Sequence, residues 1–103
     1  MSNYSYNLPA RPPDFTRLAE LFAALSDPNR LRIISTLLEG ERSVGQIAAS
    51  VNLSESAVSH QLRGLRQMRL VCPRKSGRQV FYSLDDDHVG RLYQMGLEHT
   101  RDG

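Results

Sequence analysis

The chain has 103 residues, 13 Lys and Arg against 11 Asp and Glu, and a pI near 9.0. That length predicts one domain whose own core is small enough for dimerisation to add substantially to its stability, and the mild positive balance suits attraction to DNA. The single cysteine, Cys72, excludes an intrachain disulfide framework and a Cys-rich zinc site, and it fits a reducing compartment. No apolar run is long enough to span a bilayer and no secretory leader pattern is present, so a soluble cytoplasmic protein without a membrane partner is expected.

Residues 1–13 hold three prolines and two tyrosines with little periodicity, which predicts a flexible arm, with simple disorder favoured over a local docking role for Tyr4 or Tyr6. Residues 14–103 form the expected ordered domain. From Asp14 onward, Leu18, Leu21, Phe22 and Leu25 recur at i, i+3, i+4 and i+7, the stripe of an amphipathic helix. Asp27 can cap the next helix and Pro28 suits its first position, where no N–H is needed. Leu31, Ile34, Leu37 and Leu38 are the predicted buried face of that second helix, which Glu39-Gly40-Glu41 ends.

A short helix follows over residues 43–50 with a Ser43/Gln46 capping box, and Val51-Asn52-Leu53 turns the chain into another helix capped by Ser54. Val58, Leu62, Leu65 and Met68 are spaced to face the core. This leaves Glu55, Ser56, Ser59, His60 and Gln61 outward, hydrogen-bonding side chains suited to base edges and phosphate oxygens. The pattern is that of a helix-turn-helix, with an αα-hairpin of no nucleic-acid role as the alternative. Charge favours the first: no acidic residue lies between Glu55 and Asp85, whereas Arg63, Arg66, Arg69, Arg74, Lys75 and Arg78 all do.

Residues 70–74 and 79–84 read as two strands joined through Lys75-Ser76-Gly77-Arg78, a basic β-hairpin placed to act as a wing. Its Lys75 and Arg78 would reach a flanking phosphate or the minor groove, although a basic tip also serves plain solubility. Cys72, in the first of these strands, is expected to be a buried small hydrophobe, with a sensor as the alternative. The expected fold is therefore mainly α with a β-hairpin wing, a winged helix-turn-helix.

The last helix begins at Asp85-Asp86-Asp87, where Asp85 is the predicted cap. His88 and His99 are eleven residues apart, so they share a helix face yet sit about 16 Å apart along its axis. Zinc–nitrogen bonds are about 2 Å, and one helix cannot close such a site. Two copies packed antiparallel across a two-fold axis would bring Asp86 and His88 of one to His99 and Asp102 of the other, with Leu92 and Met95 as the dimer seam. Gly90 and Gly96 weaken the helix, which points either to close helix approach or to a helix that firms up on binding metal. Chance surface residues are the alternative for this set.

Combined with the helix-turn-helix, the set resembles the ArsR/SmtB family of metal-responsive repressors. The resemblance runs from Leu18 to Asp102 and includes residues 24–32 (ALSDPNRLR) and 54–62 (SESAVSHQL). It implies a homodimeric transcriptional repressor, not an enzyme, that binds an inverted-repeat operator when metal-free and releases it on binding metal. The family's Asp, His and His ligands match Asp86, His88 and His99; Asp102 stands where the family usually has Glu or His. The family also implies an acceptor for the second N–H of His99, a backbone carbonyl that falls at Arg69. Many relatives carry cysteine ligands where this chain has Glu41-Arg42-Ser43-Val44-Gly45, so soft-metal sensing there is not expected. Two imidazoles and two carboxylates favour Zn(II), with Co(II) as a surrogate. The rival readings are a family repressor answering another metal or a non-metal signal, a small metal-dependent hydrolase, and a protein interaction module without DNA.

Overall fold

The computed structural model describes residues 5–102, with side chains through residue 101; the docking role considered for Tyr4 lies outside the described residues. Five helices and three strands follow one another: α1 (Phe15–Ala24), α2 (Pro28–Leu37), β1 (Arg42–Ser43), α3 (Val44–Val51), α4 (Glu55–Gln67), β2 (Val71–Ser76), β3 (Gln79–Leu84) and α5 (Asp87–Asp102). The strands form one antiparallel sheet in the order β1-β3-β2. The two-residue β1, which pairs Arg42 with Tyr82 and Ser43 with Phe81, is an addition to the expected hairpin.

Local chemistry sets the helix starts. The side chains of Asp14, Asp27, Ser43 and Ser54 each accept a first-turn backbone N–H, from Arg17, Arg30, Gln46 and Ala57 respectively. At α3 the exchange is reciprocal, since the Ser43 N–H donates to Gln46 Oε1 at 2.8 Å. Left-handed residues close the two helices of the helix-turn-helix: Asn52 (φ 57) after α3 and Arg69 (φ 59) after α4. The Arg69 N–H donates to Arg66 O and the Leu70 N–H to Leu65 O, the paired bonds that satisfy the last carbonyls of α4.

Ile33, Ile34, Ile47, Val58, Leu62, Leu65 and Val71 are fully buried where α2, α3, α4 and β2 meet. The buried face of α2 is thus Ile33, Ile34 and Leu37; Leu31 and Leu38, expected inside, sit at the margin, 36% and 37% exposed. Leu38 instead covers Gly90 of α5, where an added Cβ would lie 3.4 Å from its Cδ2. This is the close approach that one of the two helix-weakening glycines predicted; around Gly96 the space is open.

Helix α1 departs most from expectation. Its stripe exists, but Ala24 is its one buried residue, while Leu18 and Phe22 are 44% and 55% exposed. With Leu25, Leu31, Leu92, Tyr93, Gly96 and Leu97, Phe22 lines an apolar groove of about 360 Å³ between α1, α2 and α5. No helix among the described residues is long and apolar enough to cross a membrane.

Candidate DNA interface and metal site

Helix α4 presents its polar face opposite the core stripe. Val58, Leu62 and Leu65 turn inward, and Glu55, Ser56, His60 and Arg63 are exposed, with Ser59 half-buried at the edge. Ser54 is exposed and spends its hydroxyl on the Ala57 N–H at 3.0 Å, which makes it a cap before it is a DNA contact. Glu55 and Ser59 share a cleft of about 320 Å³ with Ser43, Gly45 and the wing residue Arg78, so helix and wing bound one continuous polar surface.

The wing is tighter than expected. Its strands pair from Val71↔Leu84 to Ser76↔Gln79, leaving a two-residue turn of Gly77 and Arg78. Gly77 at φ 60 supplies the left-handed conformation such a turn needs. Lys75 and Arg78 are exposed at this tip. Arg74 is not free: its Nε and Nη2 donate to the two Glu41 carboxylate oxygens at 2.9 and 2.7 Å, and its guanidinium lies 5.0 Å from the Phe81 ring centroid. The hydrogen bond from Arg74 holds the Glu41 carboxyl below the ordinary carboxylate range. One of the six cations in the acid-free interval is therefore committed within the fold, to an acid outside that interval.

Gln61 also departs from its expected role. It is half-buried, and its Oε1 accepts from Arg30 Nε at 2.8 Å. Bidentate adenine recognition needs both that oxygen and the amide nitrogen. The oxygen is occupied, so Gln61 is not a free base reader. Sequence reasoning missed Arg30, although it stands inside the ALSDPNRLR segment; nothing in helical spacing says that a side chain on α2 will reach α4.

At the start of α5, the cap falls on Asp86 rather than Asp85. The Asp86 Oδ1 accepts the His88 backbone N–H at 2.9 Å, which holds its carboxyl below the ordinary range, while its Oδ2 lies 3.2 Å from His88 Nδ1. The backbone N–H of Asp85 instead bonds Leu70 O. One end of the predicted ligand set is thus assembled within the protomer. His99 is exposed near the far end of α5, and the Asp102 side chain lies outside the described residues. Among the described residues, no three His, Cys, Asp or Glu side chains gather closely enough to hold a metal ion. Between the histidines, Leu92 is half-buried and Met95 is 67% exposed, an apolar strip left partly open.

Residues 27–72, spanning α2 to the first residues of β2, match the family model described as bacterial regulatory protein, arsR family. A Staphylococcus aureus protein named cadmium resistance transcriptional regulatory protein CadC homolog is 41% identical over 86 residues, covering 82% of this chain and 71% of its own length. The chain belongs to the ArsR/SmtB family. Another ArsR/SmtB relative, the transcriptional repressor SmtB homolog of Synechocystis, is 51% identical over 84% of this chain; the match spans 65% of that protein's length. Among solved structures, the homodimeric winged helix-turn-helix DNA-binding domain Mb0332 from Mycobacterium bovis superposes with a TM-score of 0.77 at 28% identity, covering 90% of each chain. ArsR/SmtB membership makes the chain a DNA-binding transcriptional regulator rather than an enzyme, which disposes of the hydrolase reading and of an interaction module without DNA.

Proposed function

We propose that this ArsR/SmtB chain is a zinc-responsive repressor, acting in the cytoplasm as a homodimer that occupies an inverted-repeat operator when metal-free and leaves it when metal-bound. The Asp86–His88 pair carries this reading. The edge of a tetrahedron with bonds of about 2.0 Å is about 3.3 Å, and the 3.2 Å between Asp86 Oδ2 and His88 Nδ1 matches it. Capping by Oδ1 fixes the carboxylate so that Oδ2 faces the imidazole before any ion arrives. His99 and Asp102 of the partner helix would complete the set, with Leu92 and Met95 packed between the two α5 helices. Zn(II), or Co(II) in its place, supplies a cross-link of borderline-soft character that two imidazoles and two carboxylates suit.

On the DNA side, Ser56, Ser59 and His60 reach the groove with Glu55 beside them, Arg63, Lys75 and Arg78 reach phosphates, and Ser54 fixes the start of the helix. His99 has a second ring N–H to donate, and the carbonyl of Arg69, where α4 ends in the left-handed turn, is the acceptor on this reading. The link would pass ligation at α5 to the end of the recognition helix. The deciding experiment titrates Zn(II) into the metal-free protein bound to its promoter DNA and follows fluorescence anisotropy. A fall in DNA affinity of one to two orders of magnitude is expected. Unchanged affinity with zinc, restored responsiveness with another metal, would reassign the inducer; no response to any divalent ion would reject metal sensing.

A further inference from the structure

Gln61 lies about 100° around α4 from Leu62, on the flank beside α2, whereas Ser56, His60 and Arg63 point away from the core. It meets Arg30 there. A guanidinium has no acceptor atom, so the atom of Gln61 in contact with Arg30 Nε must be the amide oxygen. Among the described residues, this is the one side-chain hydrogen bond joining α4 to another element. The same guanidinium reaches the carbonyl of Ala24, the last residue of α1, through Nη1 at 3.4 Å, and the Arg30 backbone N–H is itself held by the Asp27 cap at 3.0 Å. A cation beside the negative end of the α1 dipole is favourably placed. Arg30 therefore touches the recognition helix on one side, and on the other the end of the helix whose apolar stripe is half exposed.

We propose that Arg30 is a positioning residue for operator recognition: through Gln61 it fixes the roll of α4 relative to the end of α1, and Gln61 is its anchor rather than a reader of bases. Hydrophobic packing of Val58, Leu62 and Leu65 holds α4 against the body but is non-directional, and it tolerates small rotations about the helix axis. A charge-assisted hydrogen bond of 2.8 Å is directional and does not. A rotation of about 20° at a helix surface radius of about 5 Å moves a groove-facing side-chain atom by nearly 2 Å, enough to break a base contact. Sequence-specific binding would depend on the tie, whereas attraction to the phosphate backbone, carried by other residues, would not.

This rests on the reading that α4 meets an operator, so the test begins with the full-length wild-type protein and a site selected by it from a random duplex library. Failure to select any site would defeat that reading and, with it, a role for the tie in operator recognition. With a site in hand, R30A, Q61A, Q61E and the R30A/Q61A double variant are compared on the operator and on an unrelated duplex of equal length, across a salt series. Q61E is the sharp case: a glutamate oxygen still accepts from Arg30, but the amide donor is gone and a negative charge is added. The expected result is Q61E within about threefold of wild type on the operator, with R30A and Q61A each weaker by about tenfold and the double variant no weaker than either. Affinity for unrelated DNA and the salt slope should be unchanged throughout. Operator affinity for Q61E as poor as for Q61A would overturn the proposal, because the amide donor or the local charge would then matter at the DNA. A salt slope flattened by about 1.8 per dimer in R30A would make Arg30 a phosphate contact instead. Equal losses on both duplexes, or additive losses in the double variant, would also overturn it. If R30A does not fold, as judged by thermal melting, the contrast between Q61E and Q61A decides alone.

Discussion

Removing the two tip cations of the wing, in a K75A/R78A double variant, tests which charges of the basic interval meet DNA. Of the cations in the wing strands and turn, Arg74 is bound to Glu41 and stacked near Phe81, which leaves Lys75 and Arg78 free. A dimer with two wings then loses four phosphate contacts, and at about 0.9 released counterions per contact the slope of log K against log [salt] flattens by about 3.6. Between about 50 and 200 mM salt, the variant should be spared a loss of roughly 150-fold that the parent suffers. Anisotropy titrations on operator and unrelated duplexes at five or six salt concentrations measure the slope directly, and the flattening should be alike on both. The E41Q/R74Q double variant is the control, expected to keep the parent slope within about 0.5. An unchanged slope after loss of both Lys75 and Arg78 would refute the wing assignment, and a flattened slope in the control would refute the division between committed and free cations.

Zinc affinity measured by chelator competition should fall as pH drops through about 6.5, because both imidazoles must be neutral to ligate, while Asp86, held below the ordinary carboxylate range, stays ionised; constant affinity between about pH 5.5 and 8 would remove His88 and His99 from the ligand set. The Glu41 carboxyl is lowered in the folded state, so its contribution is present above the ordinary carboxylate pKa and disappears on acidification through the folded value; E41Q should differ from the parent in urea melts at pH 7, and the difference should shrink as the pH is lowered. Ile33→Ala, at a fully buried site, should cost about 2–5 kcal/mol in urea unfolding, and Leu38→Ala, 37% exposed, about half as much; equal costs would contradict the observed face of α2. A His99 analogue with a ring nitrogen to ligate but the second N–H methylated should bind zinc and yet release operator DNA poorly; full metal-driven release would dismiss the link to Arg69.

The helix starts and the recognition unit were legible because they depend on nearest neighbours in sequence. A Ser or Asp three residues before a free N–H needs no tertiary information, and Ser43, Ser54 and Asp27 cap as their spacing predicts. Periodicity behaves differently. It shows that apolar residues share a face, but not what covers that face, so α1 has the expected stripe with Phe22 in the open and α2 turns Ile33 inward where Leu31 and Leu38 were expected. Side-chain ties between distant elements left no trace in the pattern. Glu41 to Arg74 spans 33 residues and Arg30 to Gln61 spans 31, and each withdraws a residue from the surface to which its outward helical or strand position would assign it. Asp86 and His88, paired from the sequence, lie 3.2 Å apart, with the cap one residue later than expected.

Helix α1, with Ala24 as its one buried residue and an open apolar groove between it and α5, would tie the order of this protein to its concentration if the proposed dimer covers it. A ten-residue helix with little burial is too short to persist on its own propensity. Its amide protons should therefore exchange with deuterium at a rate set by how often a partner covers them: slowly when subunits are plentiful, quickly on dilution, while the amides of α2 and α4 stay protected at both extremes. A protease offered the diluted protein would cut first near Phe15 or Phe22 and leave the helix-turn-helix intact. Scarcity of the regulator would then expose each unpaired copy to turnover through a helix that pairing would otherwise cover.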